Sequence, residues 1–191
     1  MEQKAVISAG SNWAEKNIRD FRGSPAARIG DEWALVTAGN PDTGAGNWNT
    51  MTVSWGGLGV LWSRDVATIY IRPGRHTVEF LNANPLFTIS FFDKKHRKAL
   101  AVCGDKSGRD YDKAAEAGLT PIVFDSGIAS GRAVGAVGFK EASEIIICKK
   151  IYTHDFDPSK FLDPGIEKEC YPQKDYHRLF VGEILTLLVA K

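Results

Sequence analysis

Short runs of β-branched and aromatic residues follow one another along this chain, with little room for helices between them. Glu32–Ala38 (EWALVTA), Thr50–Trp55 (TMTVSW), Thr68–Ile71 (TIYI) and Leu86–Phe92 (LFTISFF) have the composition of strands. So do Leu119–Phe124, Ile128–Val137, Ala142–Tyr152 and Leu179–Leu188. Short helices are expected at Val78–Asn84, with Thr77 as N-cap and Pro85 closing it, and at Ala99–Cys103. The clearest helix signature is Ser107–Gly118, where Ser107 and Asp110 form an S-x-x-D capping box and Gly118 supplies the stop. Parallel strands need a crossover of about a dozen residues or more, usually helical, and such crossovers are missing. The pattern predicts an antiparallel β-barrel bridged or plugged by small helices, in an all-β or α+β body.

Residues 1–30 are polar and mixed and read as an N-terminal arm or short helix, leaving 31–191 as one domain. Gly39–Asn47 (GNPDTGAGN) is a turn-rich loop punctuated by Pro41, Asp42, Gly44 and Gly46. The net charge of +1 gives no bulk attraction to nucleic acid or to an anionic membrane, so any anion site must be local. Cys103, Cys148 and Cys170 lie far apart, an odd count without zinc spacing that favours a reducing compartment. The first residues carry no apolar core of a signal peptide, and no segment approaches the roughly 20 apolar residues of a membrane span. A cytoplasmic protein is expected.

Chemistry concentrates in Asn49–Thr77. On a strand, Thr50, Thr52 and Ser54 share one face, a compact row of hydroxyls suited to a polyol chain or a ring edge. The same alternation also fits an edge strand whose hydroxyls face water. Trp55 and three glycines follow, and then R-P-G-R-H-T at Arg72–Thr77. Pro73–Gly74 reads as a turn bringing Arg72 and Arg75 around a common point ahead of a helix start. Guanidinium groups with free backbone N–H groups suit a phosphate, though a solvated basic turn would look the same. Lys113, at the end of S-G-R-D-Y-D-K, either points a cation at a ligand's edge or pairs with Asp110 or Glu116. Tyr176, His177 and Phe180 offer either a ring pocket or barrel-end packing. Phosphate chemistry beside aromatics is what a flavin nucleotide requires.

Other chemistries are not supported. There is no G-x-G-x-x-G after a strand, no Walker loop, no H-E-x-x-H and no G-x-S-x-G. The four histidines have no metal-ligand spacing, so no metal is expected.

Taken in order, ALVTAG (Ala34–Gly39), NTMTVSWGG (Asn49–Gly57), RPGRHT (Arg72–Thr77), CGDKSGRDYDKAAEAGLTP (Cys103–Pro121) and DYHRLFVGEI (Asp175–Ile184) resemble the flavin reductase-like family, which includes flavoredoxin. The resemblance covers Ala34 to Leu188. It implies a mainly β fold, the FMN-binding split β-barrel with a few short helices, and a homodimer holding one FMN per subunit. It implies that Asn49, Thr50, Thr52, Ser54 and Trp55 approach the ring and ribityl chain, and that Arg72, Arg75 and Thr77 take the phosphate. Lys113 would lie near the flavin's polar edge, Ser107 would be a further cofactor-binding residue, and His177 and Phe180 would lie beside the ring. The implied activity is transfer of hydride or electrons from NAD(P)H through flavin to an acceptor, which includes a redox partner protein. Two other readings stay open: an FMN electron carrier that does not react with NAD(P)H, and a split barrel that has lost flavin.

Overall fold

The computed structural model describes residues 5–7, as backbone alone, together with 12–40 and 47–191. The expected loop punctuation at Pro41, Asp42, Gly44 and Gly46 lies outside the described residues. The main sheet uses β2 (Trp13–Lys16), β3 (Ala34–Gly39), β4 (Trp48–Val53), β5 (Gly56–Leu61), β6 (Arg64–Ile71), β7 (Leu86–Phe91), β10 (Glu144–Asp155) and β11 (Arg178–Ala190). Its order is β4-β3-β7-β10-β11-β6-β5, with β2 pairing with β11 off this path, and every pairing is antiparallel.

One detail of this order dictates the shape. Strands β4 and β5 stand at opposite ends of the sheet, yet only Ser54 and Trp55 separate them in sequence. The three Cα–Cα steps from Val53 to Gly56 span about 11 Å at most, so the sheet must curl until its two edges nearly meet. β4 and β5 do not pair, and the barrel stays split along that seam.

The sheet is buried on both faces. Along β10, Ile145 and Ile147 enter one core cluster, while Ile146 and Cys148 enter the other. The period-2 alternation of a strand thus feeds two cores. One holds Val36, Ile69, Phe87, Ile89 and Phe180 inside the barrel. The other holds Leu35, Phe124, Phe139 and Leu188 under helix α2 (Arg97–Asp105) and a second sheet. That second sheet is β1 (Ala5–Ile7), β8 (Pro121–Phe124) and β9 (Val137–Phe139), and β1 runs parallel to β8. This parallel pair departs from the purely antiparallel expectation. It is made with a distant N-terminal segment and needs no local crossover.

The remaining helices are α1 (Thr77–Ala83), α3 (Lys113–Glu116) and α4 (Pro164–Cys170). Three expectations need correction. The strand expected at Ile128–Val137 is a series of turns as far as Ala136, because Ala129, Ser130, Gly131 and Gly135 all adopt positive φ. Helix α3 begins at Lys113, capped by Asp112, whose side chain accepts from the Ala115 N–H; Ser107 instead accepts from Arg109 N–H in a turn. The N-terminal segment contributes β2 to the main sheet and a π-helical turn at Ala27–Asp31. Among the described residues no helix is long and apolar enough to cross a membrane.

Candidate functional site

A groove opens beside the seam, floored by β4 and walled by the 104–113 segment on one side and the Trp55–His177 contact on the other. It comprises three adjoining compartments. The first, about 220 Å³, is lined by Thr52, Ser54, Trp55, Arg72, Arg75 and His177, among others. The second, about 110 Å³, shares Met51 and Arg75 with the first and adds Thr77, Ser107, Gly108 and Lys113. The third, about 330 Å³, shares Gly108 and Lys113 with the second and reaches Trp48, Asn49, Thr50 and Tyr111. The residues of NTMTVSW, RPGRHT and SGRDYDK therefore converge on one continuous groove, although they are up to about 60 positions apart in sequence.

The hydroxyl row is not wholly free. Thr50 is buried, donates to the Val36 carbonyl at 3.2 Å and accepts from Thr37 at 2.8 Å. Thr52 donates to the Leu100 carbonyl, tying the groove floor to α2. Their hydrogens are used within the protein, so both can only accept from a ligand. Ser54 is half-buried and has no protein partner among the described residues. Asn49 donates through Nδ2 to Thr77 Oγ1 at 2.9 Å, which leaves the Thr77 hydroxyl hydrogen for another acceptor. Gly108 packs directly over Asn49: a Cβ there would sit 2.2 Å from Oδ1, so any other residue would displace the amide that bonds Thr77.

The charges of the groove separate into two groups. Arg72 pairs with Asp175 at 2.5 Å, Arg109 with Glu79 at 2.5 Å, and Lys106 with Glu116. Arg75 donates to the Gly104 carbonyl at 3.1 Å, and Lys113 donates to the Cys103 carbonyl at 3.2 Å. Neither Arg75 nor Lys113 has a carboxylate partner among the described residues. Lys113 is 5% exposed, and burial, aided by the neighbouring Arg75, pushes its pKa down to about 8 against the opposing effect of Cys103. Both Arg75 and Lys113 line the second compartment, together with Lys106 and Asp105, and among the described residues no hydrogen bond or ion pair joins Asp105 to either of them.

The other end is aromatic. Trp55 is substantially exposed and its ring centroid lies 4.7 Å from that of His177. His177 Nδ1 lies 2.9 Å from Tyr171 Oη. Burial first, then the Arg72 guanidinium, push the His177 pKa down to about 4 against the pull of Asp175, so the imidazole is neutral near pH 7. Arg72 lines the first compartment, but its guanidinium is held by Asp175 and by the Cys170 carbonyl at 2.7 Å. The Pro73–Gly74 turn does form, with the Arg75 N–H donating to the Arg72 carbonyl, and both arginines line the first compartment while donating to different carbonyls, Arg72 to Cys170 and Arg75 to Gly104. Phe180, expected beside the ring, is fully buried inside the barrel, opposite Ile69 in the β11–β6 register. It faces the core because successive residues of β11 point to opposite sides. Tyr176 bonds Glu167 and packs on Tyr171.

Sequence reasoning missed Gly108, Tyr171 and Asp175 as parts of this site. Gly108 sat within a recognised motif, but its need for glycine comes from Asn49, far away in sequence. Tyr171 precedes the DYHRLFVGEI motif by four residues and carries no local signal. No group of three His, Cys, Asp or Glu side chains able to hold a metal occurs among the described residues.

The model of the flavin reductase like domain matches residues 26–191. Among solved structures, the chain is similar to the flavoredoxin of Desulfovibrio vulgaris (Miyazaki F), at 23% identity over 83% of this chain and 69% of that one, with a TM-score of 0.60. It is similar to an FMN-binding domain of a flavin reductases-like enzyme from Shewanella baltica OS155, at 16% identity over 94% and 78% of the two chains, with a TM-score of 0.62. A third similar structure is the NADH:FAD oxidoreductase of Streptomyces globisporus C-1027, at 18% identity over 83% and 81%, with a TM-score of 0.57. At these identities the likeness establishes the fold. No curated protein matches.

Proposed function

The chain belongs to the flavin reductase like family, and on that premise we propose that it binds FMN in the β4 groove and passes hydride or electrons from NAD(P)H to an acceptor. The observation that carries this reading is the compartment shared by Arg75, Lys113, Thr77 and Ser107. It offers two cations without carboxylate partners and a hydroxyl whose hydrogen is unused, which together suit a phosphate monoester. The groove continues from there past Met51 to the Trp55 and His177 rings, where a flat ring has an aromatic wall.

When bound, the flavin supplies the hydride chemistry. The chain's own residues hold and orient it. Arg75 and Lys113 neutralise the phosphate, and Thr77, oriented by Asn49, donates to it. Thr52 and Ser54 meet the polyol chain or ring edge, and Trp55 with His177 bounds the ring. No side-chain acid or base is assigned to the transfer itself. The same reading includes a homodimer and an acceptor that is either a small molecule or a partner protein.

Anaerobic titration of the FMN-loaded protein tests the proposal. Bleaching of the flavin band at about 450 nm by NADH or NADPH is the expected result. Bleaching by dithionite but by neither nucleotide would make the protein an electron carrier, and failure to bind FMN would remove the flavin reading altogether.

A further inference from the structure

We propose that Tyr171 is a positioning residue that fixes the tautomer of His177, so that the imidazole presents an Nε2–H donor to the groove and reads a hydrogen-bond acceptor on the ring of the bound ligand. The ligand half of this inference rests on the flavin reading of the groove; the tautomer half does not.

The argument is one of hydrogen-bond accounting. Tyr171 is 3% exposed and His177 7% exposed, and Tyr171 Oη lies 2.9 Å from Nδ1. A phenol carries one hydrogen, and the described residues offer Tyr171 no other side-chain acceptor. Burial raises the Tyr171 pKa, so the phenol keeps that hydrogen. If Nδ1–H donated to the phenol oxygen, the phenol hydrogen would be buried without a partner, which native structures avoid. If the phenol donates to Nδ1, both groups are satisfied and the imidazole proton must sit on Nε2.

Nε2 has no protein partner and is not among the sealed, unpartnered atoms; the open space that His177 lines is the groove beside Trp55. The charged groups facing the ring are Arg72, Arg75 and Asp175. Their combined effect with burial keeps the imidazole neutral, with a pKa of about 4. A neutral N–H donor beside an exposed indole face suits a carbonyl or imine-type nitrogen on a flat ring. Arg72 holds the arrangement from behind. It bonds the Cys170 carbonyl and Asp175, on either side of Tyr171, and its guanidinium carbon lies 5.3 Å from the Tyr171 ring centroid.

Two measurements test the proposal. In protein labelled with 15N-histidine and free of flavin, long-range 1H–15N correlations at pH 7 should show His177 protonated at Nε2 and bare at Nδ1. Tyr171→Phe should populate the other tautomer and raise the His177 pKa, because a donor that favours the neutral ring has been removed. A wild-type Nδ1–H tautomer, or a His177 pKa that is unchanged or lowered by Tyr171→Phe, overturns the proposal. The wild-type spectrum decides the tautomer even if Tyr171→Phe does not fold.

Lumiflavin, a ring without ribityl chain or phosphate, then reports on the ring end. His177→Ala should weaken lumiflavin about tenfold, whereas His177→Gln, which restores an amide N–H near the Nε2 position, should recover most of that loss. Full lumiflavin affinity in His177→Ala, in a protein that binds FMN, overturns the inference and leaves the flavin reading intact. Wild-type protein that binds neither FMN nor lumiflavin overturns the flavin reading and with it the ligand half of the inference, and the histidine spectrum alone then decides the tautomer.

Discussion

Lys113 is the residue whose ionisation is most bound up with the site. In the folded chain its pKa stands at about 8, below the ordinary lysine value of 10.5. The unfolded chain holds that proton up to about 10.5, so between about 8 and 10.5 the unfolded state binds more protons and stability rises with pH. Below about pH 8 the folded protein carries the buried ammonium and its full desolvation cost. An anion in the compartment reverses the preference, because an opposite charge close by favours the ammonium. FMN binding above about pH 8 should therefore take up a proton, and affinity should fall as pH rises, by up to about tenfold per unit. Flavin-fluorescence titrations between about pH 7 and 10 check this, and Lys113→Met should flatten the profile. A flat wild-type profile would place Lys113 away from the anion.

At the scale of elements, the connection between β10 and β11 forms one wall of the groove, and Arg72 is its fastening. The guanidinium joins the end of β6 to Cys170 and Asp175. Arg72→Ala should raise amide exchange in residues 170–177 while leaving the preference for FMN over riboflavin intact. Loss of that preference would return Arg72 to the phosphate, where the sequence resemblance had put it. Most elements were legible beforehand because their signals are local. EWALVTA, TIYI and LFTISFF carry β-branched and aromatic runs that become β3, β6 and β7. Elements whose identity depends on partners were not legible. Strand β5 is Gly-rich and gains its order by pairing with β6, and β2 forms only against β11. At Ile128–Val137 apolar content suggested a strand, but the left-handed residues turn the chain away.

At the scale of the molecule, the two-residue link between the opposite edges of the sheet explains why a site lies where it does. Curling the sheet brings β4, the Trp55 corner and the start of β11 together at an unpaired seam. Helix α2 and the segment after it then close over β4 through Thr52 and Gly108. The polar and cationic half of this site could be read from NTMTVSW, RPGRHT and SGRDYDK. Which hydroxyls remain free, which arginine is neutralised and which tyrosine meets His177 could not, because each is settled by a contact across more than one element. Phe180 shows the same limit from the other side: its motif suggested a ligand contact, and strand parity sends the ring into the core.

The central claim is that Arg75 and Lys113 seat the phosphate of a flavin mononucleotide. A calorimetric titration of flavin-free protein with FMN and with riboflavin, on the wild type and on Arg75→Ala, tests it most directly. Wild-type protein should bind FMN at least about tenfold more tightly than riboflavin, since a charge-assisted contact contributes about 1.5–3 kcal/mol. Arg75→Ala should remove most of that preference while changing riboflavin binding little. Equal affinities for the two ligands in the wild type, or a preference that survives Arg75→Ala unchanged, would contradict the account.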